Sequence, residues 1–405
     1  MSLSRRRFLQ GTGAGVAGTA LAGGLVAVGA RADAAGTAPS TVESYPFHGP
    51  HQAGVFTALQ PAATFAAFDV TAKDRAGLVE LFKALTVRAR FLTAGGTPPD
   101  LGVGSPPSDS AVLGPTVPAD GLTVTVSVGA ALFDDRFGLA ARKPARLSAM
   151  RTFPDDALDP AWCHGDLMVQ VCANNADTVH HALRDIAKST RDWMQPRYRL
   201  DGFASPPRPS GTPRNLLGFK DGIVNPKAAE GDALVWVPAG GPEPAWTAGG
   251  TYQVVRLIKM LVEFWDRISI SEQERMFGRR RDSGAPLDGS AEFDNPDYAK
   301  DPEGKVIPLD SHIRLANPRT AKTEPSRILR RPFNYDRGFE VNGNLDAGLI
   351  FCCFQQDIAR QFEAVQERLN GEPLTDYVKP FGGGYFFVLP GVRDNNDHYA
   401  SGLLA

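Results

Sequence analysis

The pattern that most constrains this chain is a strand–helix pairing that occurs once in each half. Residues 167–172 and 349–354 are short apolar runs, and helical spacing of apolar residues follows each, over 176–186 and 358–369. Around the first pair, 64–70 and 122–128 read as strands and 74–85 as an amphipathic helix. Around the second, 251–258 reads as a strand running into a helix that ends near Trp265, and 385–389 as a closing strand. In a chain of 405 residues this rhythm predicts an α+β protein of two units, each an antiparallel sheet covered by helices. The first unit spans 55–213 and the second 214–405. Segments 196–213 and 283–308, rich in Pro and polar residues, read as long surface loops.

Residues 1–34 read as an export signal and stand apart from the fold. SRRRFL at 4–9 is a twin-arginine pattern. Residues 8–30 carry no charge but are crowded with Gly and Ala, where a stop-transfer helix would hold more Leu, Ile and Phe. ADA at 32–34 offers a small-residue cleavage site and ARA at 30–32 a second; a retained anchor is the competing reading. Twin-arginine export carries proteins already folded, which suits a chain that takes up a cofactor before leaving the cytoplasm. The expectation is therefore a secreted or cell-envelope protein that engages the twin-arginine machinery. No stable membrane insertion is expected once the signal is removed. Residues 35–54 read as a linker and N-terminal extension.

Net charge is −2 and no long basic run exists, which argues against a nucleic-acid partner. Arg279, Arg280 and Arg281 read as a solvated loop. Four cysteines in an exported chain invite a disulfide reading, but Cys352 and Cys353 alternate to opposite faces of a strand. Cys163 and Cys172 bracket a straight strand, so free buried thiols are expected. The chain has no Gly-x-Ser-x-Gly elbow, Walker loop or HExxH helix, so hydrolase, NTPase and zinc-protease readings lack support. It has no CxxCH for covalent haem attachment.

Three blocks carry chemistry. In GFKDGIVNP (218–226), Asp221 lies in a glycine-flanked turn. Glycines let the backbone turn sharply and approach a flat ligand. The aspartate is then either a turn-former or an acid–base group. Aspartate titrates near ~4 in model peptides, so as a base it would favour activity at acid pH. SHIRLANPR (311–319) begins with Ser311 and His312, one of seven histidines. The others are His48 and His51 before the core, His164 beside a strand, His180 and His181 on a surface-type helix, and His398 near the end. RILRR (327–331) supplies Arg330 and Arg331, which point opposite ways on an extended strand.

Together these blocks resemble the dye-decolourising peroxidases, a haem b family, over most of the chain after the signal. The resemblance implies two ferredoxin-like domains, with one haem b per chain held mainly by the C-terminal domain. GFKDG matches the family's Gly-x-x-Asp-Gly motif in full, which makes Asp221 the distal acid–base group and places Gly222 and Asn225 in the cofactor pocket. His312 lies in the one histidine block similar to the family's proximal segment, so it is the implied axial ligand and metal-binding residue. Arg330 follows it by 18 residues, close to the family's spacing, and would stabilise charge during O–O cleavage. Asp357 is the candidate acceptor for the second imidazole nitrogen of His312; an N-cap for the following helix is the equal alternative. Arg314 and Arg319 are candidates to neutralise haem propionates, with surface salt bridges as the plainer reading. Some members carry an asparagine two positions after the arginine; here that position is Pro332. Tyr385 and Trp265 are candidate radical stations or ordinary core.

The activity implied is reduction of hydrogen peroxide through a high-valent oxo-iron state, with dyes, phenols, a metal ion or another one-electron donor as reductant. The twin-arginine signal and these blocks most resemble the exported branch, which includes deferrochelatases. A haem- or iron-handling protein with incidental peroxidase activity is the alternative.

Overall fold

The computed structural model describes residues 44–405. The twin-arginine segment, both cleavage sites and the start of the linker lie outside those residues.

The first half runs β1 (Ala62–Val70), α1 (Arg75–Ala94), β2 (Thr123–Gly129), β3 (Leu167–Ala173), α2 (Ala176–Thr190) and β4 (Met194–Phe203). Asp74 starts α1 by accepting the Gly77 amide at 2.8 Å, and Gly95, in a positive-φ conformation, ends it. Leu78, Leu81, Phe82, Leu85, Ala89 and Leu92 recur at helical spacing on its buried face, so α1 continues well past residue 85. The second half runs β5 (Thr251–Met260), β6 (Leu329–Arg330), β7 (Phe333–Phe339), β8 (Leu345–Gln355), a wide π-type turn (Ala359–Glu363) with helix Ala364–Leu369, and β9 (Val378–Val388).

Strand order is β4-β1-β3-β2 in the first half and β9-β5-β8-β7 in the second, antiparallel throughout. With the two-residue β6 counted as the start of β7, each half thus places its fourth strand beside its first, its first beside its third, and its second at an edge: two ferredoxin-like sheets. Their edges join. Ser127, Val128 and Gly129 of β2 pair with Val388, Phe387 and Phe386 of β9, and Phe203 of β4 pairs with Asn334 of β7. The two sheets close into a ring of eight strands, which removes their exposed edges.

Inner faces of both halves share one core. Phe65, Met168, Leu200, Val255, Phe333, Ile350 and Phe386 pack together there. Each such side chain stabilises the fold by about 1.5–3 kcal/mol relative to exposure. A few polar side chains are buried with them and bonded across the halves: Ser127 Oγ donates to Gln253 Oε1 at 2.5 Å, and Gln253 Nε2 donates to Gln170 Oε1 at 2.9 Å. All four cysteines are free and buried. Among the described residues, no helix is long and apolar enough to cross a membrane.

Two segments differ from expectation. Residues 196–203 lie in β4 rather than a surface loop, because Met194, Tyr198 and Leu200 supply a buried face while the intervening residues stay exposed. Pro196 is accommodated at a register shift opposite Ala67 and Phe68. Described residues of the N-terminal extension are also tied into the sheet. Gln52 accepts the Val126 amide at 2.8 Å and donates to the carbonyls of Val126 and Leu389, both at 2.8 Å.

Candidate active site

The site forms on the outer face of the second sheet. Strand alternation sends Val255 and Leu257 of β5 into the ring core, while Arg256, Ile258 and Met260 face the opposite way and line a cavity. Leu349 and Phe351 of β8, Phe277, Phe362, Leu369 and Leu374 extend its apolar wall.

Asp221, Arg330 and His312 line this one cavity. Asp221 lies in a turn that needs its flanking glycines: Gly218 and Gly222 have φ of 85° and 87°, the left-handed region. Space is not the reason at Gly222, since an added Cβ would meet nothing nearer than Asn225 at 3.7 Å. The Gly222 amide donates to Asp221 Oδ1 at 2.6 Å, and Arg330 Nη1 lies 2.9 Å from the same oxygen. Oδ2 has no protein hydrogen-bond partner among the described residues.

Arg330 owes its direction to a broken edge strand. β6 pairs with β8 at Leu329 and Arg330, then Pro332, which has no N–H, interrupts the ladder before β7 resumes at Phe333. Arg331, buried on the other side, donates to Gln60 Oε1 at 2.6 Å and to the Thr57 carbonyl.

His312 opens a short helix, His312–Ala316. Its Nδ1 lies 2.9 and 3.0 Å from the two carboxylate oxygens of Glu372, whose side chain is 6% exposed. Nε2 has no protein partner among the described residues. Burial opposes the charged imidazole, but the Glu372 carboxylate outweighs it and raises the His312 pKa above its ordinary value; Arg330 opposes and Asp221 assists more weakly.

Glu372 is the residue that sequence reasoning missed, and Asp357 was the wrong candidate. Asp357 caps the following helix instead, accepting the Arg360 amide at 3.0 Å, while its other oxygen pairs with Arg146 at 2.8 Å. The turn at 370–373 that carries Glu372 lies 60 residues from His312, and nothing in it marks a histidine partner. Arg314 does not line the cavity; it donates to the carbonyls of Ile307 and Asp301, both at 2.8 Å, and pairs with Asp301, fixing that loop. Arg319 does line it, as does Arg279. Arg279 is buried rather than solvated, donating to the carbonyls of Gly284 at 2.6 Å and Glu292 at 3.0 Å, and burial pushes its pKa down to about 10. Asn225 lies behind the cavity wall and holds the backbone of Arg330. Trp265 is core, its indole N–H donating to the Leu217 carbonyl at 2.9 Å.

These residues fit a flat iron–porphyrin. One imidazole nitrogen is positioned and the other left free, apolar walls enclose the space, and cations stand at the lining. The comparisons with known proteins decide the family. The model of the N-terminal Dyp-type peroxidase domain matches residues 52–204, and that of the C-terminal domain matches 212–393. The chain belongs to the Dyp-type peroxidase family. It is therefore an oxidoreductase of the haem peroxidases. Relatives named deferrochelatase, from Yersinia pestis and Escherichia coli K12, are each 52% identical over 415 aligned positions. The Yersinia match covers 100% of this chain and 95% of the relative; the Escherichia match covers 99% and 97%. Among solved structures, the DyP-type peroxidase of Cellulomonas bogoriensis is 36% identical with a TM-score of 0.81, covering 90% of this chain and 98% of that one. Ferric DtpA from Streptomyces lividans is 35% identical with a TM-score of 0.80, covering 89% and 97%.

Proposed function

We propose that this protein is an exported haem b peroxidase, with one haem per chain, that reduces hydrogen peroxide and oxidises phenols, dyes or other one-electron donors. The observation that carries the reading is the Asp221–Arg330 pair at 2.9 Å in the same cavity as a histidine with one nitrogen free. Haem bound there would supply a redox-active centre that gives two electrons to peroxide and recovers them singly from donors. His312 would hold it: Nδ1–H donates to Glu372, which fixes the ring and strengthens Nε2 as a donor to the metal. Asp221, anchored through Oδ1, leaves Oδ2 to take a proton from one peroxide oxygen and hand it to the other, which departs as water. The Arg330 guanidinium stabilises negative charge as the O–O bond parts. The apolar wall keeps bulk water from that charge.

Export rests on the SRRRFL pattern at 4–9 and the small-residue sites at 30–34. A second reading, haem or iron as cargo, is favoured by the 52% identical relatives named deferrochelatase. Stopped-flow mixing of the haem-loaded protein with one equivalent of peroxide separates the two, beside Asp221→Ala. A fast spectral change in the wild type that slows at least tenfold in the variant, with haem binding intact, supports the enzyme. A wild type that binds haem and hardly reacts supports the carrier.

A further inference from the structure

The cavity that holds His312, Asp221 and Arg330 is not lined by the second half alone. β2 pairs with β9 only at 386–388, which leaves the earlier part of β9 with an open edge. A segment of the first half, 157–164, between β2 and β3, takes that edge. The amides of Ala157, Asp159 and His164 donate to the carbonyls of Pro380, Phe381 and Gly383 at 2.9, 2.8 and 2.7 Å. Gly382 permits the approach, since a Cβ there would lie 2.5 Å from the Trp162 carbonyl oxygen. The docked segment brings Asp155 and Asp156 to the lining of the cavity. Asp155 accepts the Gly371 amide at 3.4 Å, beside Glu372.

Asp156 meets Arg256 there. Arg256 stands on the outward face of β5, opposite Gly383 of β9, and its Nη2 donates to Asp156 Oδ1. Oδ2 accepts the Phe153 amide at 2.9 Å, so the carboxylate is fixed at both oxygens. The guanidinium carbon lies 5.4 Å from the centre of the Phe153 ring, and Nη1 reaches the Met150 sulfur, a weak acceptor, at 3.5 Å. The two side chains are 2% and 1% exposed. A buried pair of this kind adds little stability, because apolar side chains of like volume serve a fold as well. Its position has a stronger consequence. Both residues line the cavity and are shut off from solvent, where a charge acts several-fold more strongly than in bulk water. Guanidinium and carboxylate offset each other, so the fixed charge that a bound group meets depends on the pair staying whole.

We propose that Arg256 and Asp156 together set the reduction potential of haem bound in this cavity, as a charge-balanced pair drawn from both halves of the chain. This rests on the peroxidase reading. Reduction adds an electron to the bound haem. A bare positive charge at Arg256 would favour the reduced form, and a bare negative charge at Asp156 the oxidised form. Asp156 thereby keeps the guanidinium from drawing haem away from the ferric state, and the first half controls the electrostatics of a site built on the second.

Spectroelectrochemical titration of the haem-loaded protein tests this with four proteins: wild type, Asp156→Asn, Arg256→Gln and the double variant. Asp156→Asn should raise the potential and Arg256→Gln lower it. Each should shift the equilibrium constant for one-electron reduction at least tenfold, about 59 mV. The double variant should return to within threefold of wild type. Single variants that shift the same way would mean that both merely loosen the docked segment, and the proposal is overturned; it is overturned equally if neither moves. Each single variant leaves a buried charge unpaired and could fail to fold. The other then decides, since its potential must stand apart from both wild type and double variant. If unmutated protein takes up no haem at all, the peroxidase reading itself has failed, which is a separate observation.

Discussion

Asn225 and Arg330 hold each other through two hydrogen bonds: Asn225 Nδ2 donates to the Arg330 carbonyl at 2.8 Å, and Arg330 N donates to Asn225 Oδ1 at 3.1 Å. The clamp binds the turn that carries Asp221 to the strand that carries Arg330, across 105 residues of sequence. Neither group of Asn225 need touch substrate for its loss to matter. Asn225→Ala is expected to slow the peroxide reaction about 10- to 100-fold, the scale on which small misplacements act, with haem affinity little changed. Stopped-flow rates beside a haem titration check the split. Asn225→Asp, which keeps the acceptor but loses the donor, should fall between the two.

That clamp shows where sequence legibility ends. Asp221, His312 and Arg330 stand in contiguous blocks, so their types and spacing were visible before any fold, and the structure places all three on one cavity. The paired strand–helix rhythm was visible for the same reason: apolar periodicity is local. Glu372 was not, because its partner lies far along the chain and its own turn looks like any solvent turn. Asp357 looked apt only because it follows a strand, a position equally good for a helix cap, and the cap is what it forms. β4 and the β6–β7 edge were hidden by Pro196 and Pro332, which break local strand patterns that pairing to a neighbour then restores.

Glu372 orients His312, so its removal should loosen the metal rather than the fold. Glu372→Gln keeps one acceptor and the side-chain volume, and is expected to weaken haem binding about 10- to 100-fold, as outer-shell partners of ligating histidines commonly do. It should also raise the reduction potential of the bound haem, because a neutral amide lends less electron density to the imidazole. Spectroelectrochemistry and haem transfer to a competing apoprotein measure both. An unchanged potential would mean that Glu372 only fills space.

Gly222 has φ of 87° and donates its amide to Asp221 Oδ1 at 2.6 Å. A Cβ there finds room but strains the backbone. Gly222→Ala should cost roughly 1 kcal/mol or more, seen in a denaturant midpoint. It should also slow the peroxide reaction, since relief of the strain rotates the amide off the carboxylate. Retained stability with lost activity would also place the effect in the turn.

The turn is further held by a buried ion pair that predicts an acid limit. Glu292 accepts the Thr212 amide at 2.8 Å and hydroxyl at 2.7 Å, and pairs with Lys220, the neighbour of Asp221. Burial alone would raise the Glu292 pKa; the bonds from Lys220 and Thr212 outweigh it and hold the carboxyl below its ordinary 4.5. A carboxyl with a lowered folded pKa contributes stability that is fully present above its unfolded pKa and is lost as pH falls through the folded one. The protein should therefore melt at a steady temperature from neutral pH down to about 5 and lose stability below about 4.5. Glu292→Gln leaves the Lys220 charge buried, its side chain only 2% exposed, at an expected cost of about 3–5 kcal/mol near neutral pH. Because the titrating group is gone, the difference between wild type and variant should shrink as the pH falls below 4.5. Thermal melts of both proteins across pH 3–8 measure that difference, and curves that stay parallel throughout would assign the acid limit to other carboxylates.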